Sequence, residues 1–201
     1  MLRTSRLAPA LLIPALLLPA CGGEESADTA DRAPSAETSS SAPATSEAPA
    51  AMSDPIPVGE TISDPVLGHQ ISVKNVIRNF PVPADSPMAD KELVLVEIEA
   101  TAGSEFYGGL YGSEFRLVEP GEEIPSPSTG AFDETITAEG LTPWVELDRG
   151  ATGTGWLAFF AYQPGVPGLE LQYKRSAATV MGSDQQIEEE LFTVPLPDPT
   201  S

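Results

Sequence analysis

Between residues 56 and 197 apolar and polar side chains alternate in short runs punctuated by glycine and proline, and the period is two. That period puts successive side chains on opposite faces of an extended backbone and so predicts β-strands. The runs fall at 70–79, 92–101, 114–118, 144–147, 154–162 and 169–174, with a closing hairpin of 177–181 against 189–195. In the second run Val94, Val96, Ile98 and Ala100 share one face while Glu97 and Glu99 take the other, as in a half-buried antiparallel strand. Phe115 and Leu117 alternate in the same way with Glu114 and Arg116, as do Leu169, Leu171 and Tyr173 with Glu170, Gln172 and Lys174. Strands of this kind joined by turn-rich loops predict an all-β domain, a two-sheet antiparallel β-sandwich.

Three stretches read differently. Residues 119–143, rich in proline, glycine and acids, are expected to form a long connection between the sheets. At 183–191 the capping-box spacing of Ser183 and Gln186, with Ile187 and Leu191 four apart, leaves a helical turn open. In 154–162, Leu157, Phe159 and Ala161 fit a core face, yet the opposite face carries Trp156, Ala158, Phe160 and Tyr162. Either a loop of the same chain covers that second apolar face, or Trp156, Phe160 and Tyr162 form a docking or self-association patch.

The N-terminal segment has a separate logic. Arg3 and Arg6 precede an apolar run from Leu7 to Leu18, which Pro9 and Pro14 interrupt. At about 12 residues, against the roughly 20 a membrane-spanning helix needs, this run is the core of an export signal. Leu18-Pro19-Ala20-Cys21 resembles the lipobox of bacterial lipoproteins, and Cys21 is the only cysteine in the chain. A diacylglyceryl thioether on the Cys21 sulfur followed by cleavage of the Ala20–Cys21 bond is expected, with residues 1–20 as signal peptide. The next residues, 21–55, are almost entirely Ala, Ser, Thr, Pro, Glu and Asp, too poor in apolar surface to offset ordering entropy. They read as a disordered tether spanning on the order of 30 Å, ahead of a sandwich at 56–197 and a tail at 198–201.

Charge narrows the partners. The formal charge is −20, and loss of Arg3 and Arg6 with the leader makes it two units more negative. Such a surface repels nucleic acid and anionic head groups, so attachment to the membrane is expected to come from lipid on Cys21. One cysteine also means that no intramolecular disulfide supports the fold.

A family resemblance rests on 90–100, which begins with the charged turn Asp90-Lys91-Glu92, on Ser113-Glu114-Phe115-Arg116-Leu117-Val118, and on Leu147-Asp148-Arg149-Gly150 leading into 154–160. This order resembles the immunoglobulin-like domains of unknown function carried by Gram-positive lipoproteins, similar in fold to the secreted immunoglobulin-like antigen of mycobacteria. The resemblance spans roughly residues 58–175 and implies an immunoglobulin-like sandwich at the cell surface. It implies no catalytic residues.

Little in the sequence carries chemistry. Residues 103–112 set Phe106, Tyr107 and Tyr111 among four glycines, with Leu110 between them. Phe106, Tyr107, Leu110 and Tyr111 are therefore either a recognition loop at one end of the sandwich or a cap that folds back over the core. Acidic clusters at Glu119/Glu122/Glu123, Asp133/Glu134 and 188–190 lack the alternating spacing that wraps oxygens around calcium. The single histidine, His69, reads as a turn residue entering a strand and cannot by itself build a zinc shell. No nucleophile motif accompanies it. The expectation is a lipid-anchored extracytoplasmic binding or interaction module, not an enzyme, with no catalytic residues, metal or cofactor, acting on a cell-envelope protein or ligand. An accessory subunit docking on a membrane protein is one alternative, and a carboxylate-dependent cell-wall hydrolase is another.

Overall fold

The structure is a computed structural model that describes residues 52–106 and 108–199. Cys21, the signal peptide, most of the tether and Tyr107 lie outside the described residues. The strands are β1 (Ile56–Asp64), β2 (His69–Phe80), β3 (Glu92–Thr101), β4 (Phe115–Val118), β5 (Ser126–Pro127), β6 (Thr152–Ala161), β7 (Glu170–Arg175), β8 (Ala178–Thr179), β9 (Gln186–Ile187) and β10 (Glu190–Pro195). Among the described residues one short α-helix, α1 (Asp133–Ala138), interrupts them.

The protein is an all-β antiparallel sandwich. One sheet has the order β1-β2-β3-β6, the facing sheet β10-β7-β4-β5, and β8 pairs with β9 as a separate two-stranded ribbon. The second order parallels the G-F-C-C′ sheet of immunoglobulin domains, whereas the first is a three-strand meander extended by β6. Between the sheets lies a core that takes Val73, Val94, Val96, Ile98 and Phe159 from the first and Phe115, Leu117, Leu171 and Tyr173 from the second.

β3 occupies 92–101 as its alternation predicts, but it is not half-buried. Leu93 and Leu95, which the alternation places on the outer face, are buried in a second cluster with Ile77, Phe80, Trp156 and Ala158. The lid on that cluster is the connection after β5, where Phe132 and Ile136 of the α1 region pack down on the sheet and Leu141 adds its side chain. Phe132 meets Phe160 edge to face at 5.3 Å between ring centroids. This settles the doubly apolar pattern of β6. Trp156 is 7% exposed beneath the chain's own insertion, Phe160 is half-buried, and Tyr162 alone stands out at 46%.

Three sequence expectations need correction. Residues 144–147 form no strand, because the segment touches its neighbours only through single bridges, Pro143 to Trp156 and Leu147 to Leu110. A proline that cannot donate opens this stretch and limits further laddering. The C-terminal hairpin is also re-paired. Residues 178–179 bond to 186–187, while β10 runs along β7 with Phe192 opposite Tyr173, so no helical turn forms at 183–191. Finally, β1 was not expected, since Pro57, Gly59 and a mostly exposed surface hide it as an edge strand with a bulge between Pro57 and Glu60.

Candidate functional site

At the end of the sandwich where β2 begins and β3 ends, loop residues 104–106 and 108–111 face the β8–β9 ribbon across a cleft of roughly 960 Å³. Leu67, Phe106 and Tyr111 supply apolar surface from one side, Val180, Met181 and Ile187 from the other, and His69 also lines the cleft. A volume of this order falls within the range of small-molecule sites.

Close backbone approach builds the near wall. A Cβ on Gly103 would sit 1.6 Å from the Leu67 carbonyl oxygen, and one on Gly109 would sit 2.1 Å from that of Leu147. Only glycine permits these contacts. They let Gly103 N–H donate to His69 Nδ1 at 2.8 Å, and they let Leu110 exchange backbone hydrogen bonds with Leu147 at 2.9 and 3.0 Å. Arg149 Nε donates to the Ser104 carbonyl, pinning the start of the loop. Beyond the glycines a single 3₁₀ turn, Gly112–Glu114, is closed by Tyr111 N–H donating to Glu114 Oε2 at 2.9 Å.

Behind the wall runs a buried polar chain. The Arg175 guanidinium donates to Asp64 Oδ1 at 2.6 Å, to Glu190 Oε2 at 2.6 Å and to the Glu188 carbonyl at 2.9 Å. Asp64 Oδ1 also accepts the N–H groups of Val66 and Leu67, turning the chain from β1 into β2. The Tyr173 hydroxyl lies 3.4 Å from Asp64 Oδ2, and its ring meets His69 edge-on. Burial pushes the Tyr173 hydroxyl well above its ordinary range, with the charges of Glu114 and Asp64 adding to it. Burial likewise lowers the His69 pKa below its usual value, against an opposing pull from Asp64, so the ring is neutral near pH 7. Glu114 moves upward, through burial first, with Asp64 and Glu146 adding like charge and the Tyr111 N–H opposing them.

The sequence-predicted loop residues separate here. Phe106 and Tyr111 line the cleft, with Tyr111 41% exposed, whereas Leu110 is wholly buried and belongs to the core. Trp156, Phe160 and Tyr162 line no part of the cleft. His69 is the residue the sequence pattern underrated. Its partner Gly103 is 34 positions away, and no local spacing announces the pair.

Of the acidic clusters, two have members with structural partners: Glu119, and Glu189 and Glu190, which pair with Lys174 and Arg175. Glu119 is buried and accepts the N–H groups of Tyr162 and Gln163 at 2.8 and 3.0 Å. Among the described residues no three or more His, Cys, Asp or Glu side chains gather as a metal-binding group. Nor is any described helix long and apolar enough to cross a membrane.

No protein-family model matches the chain, and no curated protein matches it. Two solved structures are similar at a distance. YcdA of Bacillus subtilis, described as a lipoprotein, aligns over 70% of this chain with 17% identity and a TM-score of 0.43. This chain spans only 39% of that protein's length. A functionally unknown protein of Listeria monocytogenes aligns over 75% of this chain and 85% of its own, with 12% identity and a TM-score of 0.45. Likenesses this remote leave the assignment of function to the site itself.

Proposed function

We propose that the chain is a surface lipoprotein, anchored outside the cell membrane by lipid on Cys21, whose sandwich holds a ligand in the cleft between loop 104–111 and the β8–β9 ribbon. The cleft is the observation that carries this reading. It combines small-molecule size, two aromatic side chains at its rim and a wall of backbone contacts that preforms it. The immunoglobulin-like kinship with Gram-positive lipoproteins and the mycobacterial antigen belongs to the same proposal. Its support is the strand order of the second sheet and the lipobox-like Leu18–Cys21 segment.

Docking through Trp156, Phe160 and Tyr162 has less support, because the α1 region already covers the first two. Two measurements test the proposal. Cys21→Ser should move the protein from the membrane fraction to the soluble one; continued retention would reject the lipid anchor. Native mass spectrometry of protein isolated from its own envelope should find a bound small molecule on the wild type and none on Ala178→Trp, which enlarges an exposed wall residue. Equal occupancy in the two would reject the cleft.

A further inference from the structure

The hydrogen bond that anchors His69 also determines where its proton is. A ring nitrogen that accepts a hydrogen bond carries no proton, so Nδ1, receiving Gly103 N–H at 2.8 Å, leaves the single proton of the neutral ring on Nε2. That Nε2–H is buried without any partner, in a residue only 2% exposed. Four buried side-chain nitrogens among the described residues lack partners, those of His69, Arg78, Arg116 and Trp144, and only His69 lines the cleft. Buried donors in folded proteins are nearly always paired, so an unpartnered donor in a residue that lines a cleft points to a ligand's acceptor.

The charge of that acceptor follows from its surroundings. Among the described residues no lysine or arginine lines the cleft, and the two charged ones that do are the acids Glu105 and Glu114. Arg175, at the same end of the molecule, is already committed to Asp64, Glu190 and the Glu188 carbonyl. A carboxylate or phosphate entering here would meet like charge with no counter-ion. A simple ammonium ion has no lone pair for His69 to reach. What remains complementary to the cleft is an apolar body with one uncharged oxygen.

Building on the reading of the cleft as a ligand site, we infer that its ligand is an uncharged, predominantly apolar molecule whose carbonyl or ether oxygen accepts a hydrogen bond from His69 Nε2–H. The hydrocarbon lies against Leu67, Phe106, Val180, Met181 and Ile187, and the oxygen meets the imidazole.

His69 is the sole histidine, so a long-range ¹H–¹⁵N spectrum of the full chain contains one imidazole and reports this contact directly. The chain carries Cys21→Ser so that neither acyl group nor detergent competes, and the probes are 2-decanone, decanoate and decylammonium. The free protein should show the Nε2–H form. 2-Decanone should shift that signal and bind about tenfold more tightly than either ion. His69→Asn, whose side-chain oxygen can still accept from Gly103, should weaken the ketone about tenfold while the fold survives.

An Nδ1–H ring, an unmoved imidazole signal, failure of all three probes to bind, or full ketone affinity in His69→Asn would overturn the inference. Tighter binding of decanoate or decylammonium, if abolished by Ala178→Trp, would overturn the ligand class and leave the cleft standing. Ketone binding indifferent to Ala178→Trp would overturn both.

Discussion

The two ends of the β2–β3 hairpin bury polar groups in opposite ways. Where β2 ends and β3 begins, the Glu92 carboxylate accepts from Arg78 Nε at 2.6 Å, Arg78 Nη2 at 3.0 Å, Asn79 N–H at 3.2 Å and Gly165 N–H at 2.7 Å. Arg78 also donates to the Val166 carbonyl at 2.9 Å, so one buried pair ties the hairpin to the loop after β6. At the other end, His69 lines a cleft, is held by Nδ1 and has its buried Nε2 without a partner. Arg78 Nη1 is unpartnered as well, yet it lines no part of that cleft. The Arg78–Glu92 end thus gathers four donors on one carboxylate, whereas His69 is held by a single hydrogen bond.

The largest effect should come from Glu92→Ala, which leaves the Arg78 guanidinium buried without its counter-charge and releases two backbone anchors. A loss of about 3–5 kcal/mol in urea unfolding is expected. The protein that remains folded should keep its ketone affinity, and a parallel loss of binding would break the separation of the two ends. Gly103→Ala should follow at about 3 kcal/mol, because backbone meets backbone at Leu67 and the His69 anchor is lost with it. Unlike Glu92→Ala, it should change both stability and the imidazole spectrum.

A smaller effect sharpens the contrast through pH. The folded state holds His69 neutral below the ordinary histidine pKa, whereas the unfolded chain takes up the proton at about 6.5. Stability contributed by this group is therefore present above that pH and falls as the pH drops through it, until the folded ring titrates too. Glu114 acts with the opposite sign. Its raised pKa lets the folded state bind a proton first, so its contribution grows as pH falls toward the ordinary carboxylate range. Tm measured from pH 7 to 5.5 should decline more steeply in the wild type than in His69→Asn. Equal slopes would mean that His69 is not held neutral. The smallest change is expected from Met181→Ser at the 93% exposed tip of the β8–β9 ribbon, with stability within about 0.5 kcal/mol of wild type. Its ketone affinity should still fall, and a drop in stability without that fall would make the ribbon part of the core.

Legibility followed the range of the interaction. The β3 run was readable to the residue because alternation is a local property of the backbone, and β2, β4, β6 and β7 were readable within a few residues for the same reason. β1 escaped because an edge strand with one exposed face and a glycine bulge has little alternation to show. The cleft was half legible. Aromatics among glycines pointed to loop 104–111, but Leu110 belongs to the core, and nothing local told it apart from its neighbours.

The chain by itself determined the all-β class, the sandwich-core face of β3, β4, β6 and β7 and the strongly acidic balance, because side-chain alternation and charge are written residue by residue. It also carried the lipobox-like Leu18–Cys21 segment on which the proposed anchor rests. Only the tertiary structure decided that α1 lies over Trp156, that β10 pairs with β7 rather than with 177–181, and that His69 meets Gly103. Each of those outcomes joins segments far apart in sequence, where the choice rests on which surfaces fit and which buried donors find acceptors. At His69 Nε2 that pairing stops one partner short, and the proposed function begins there.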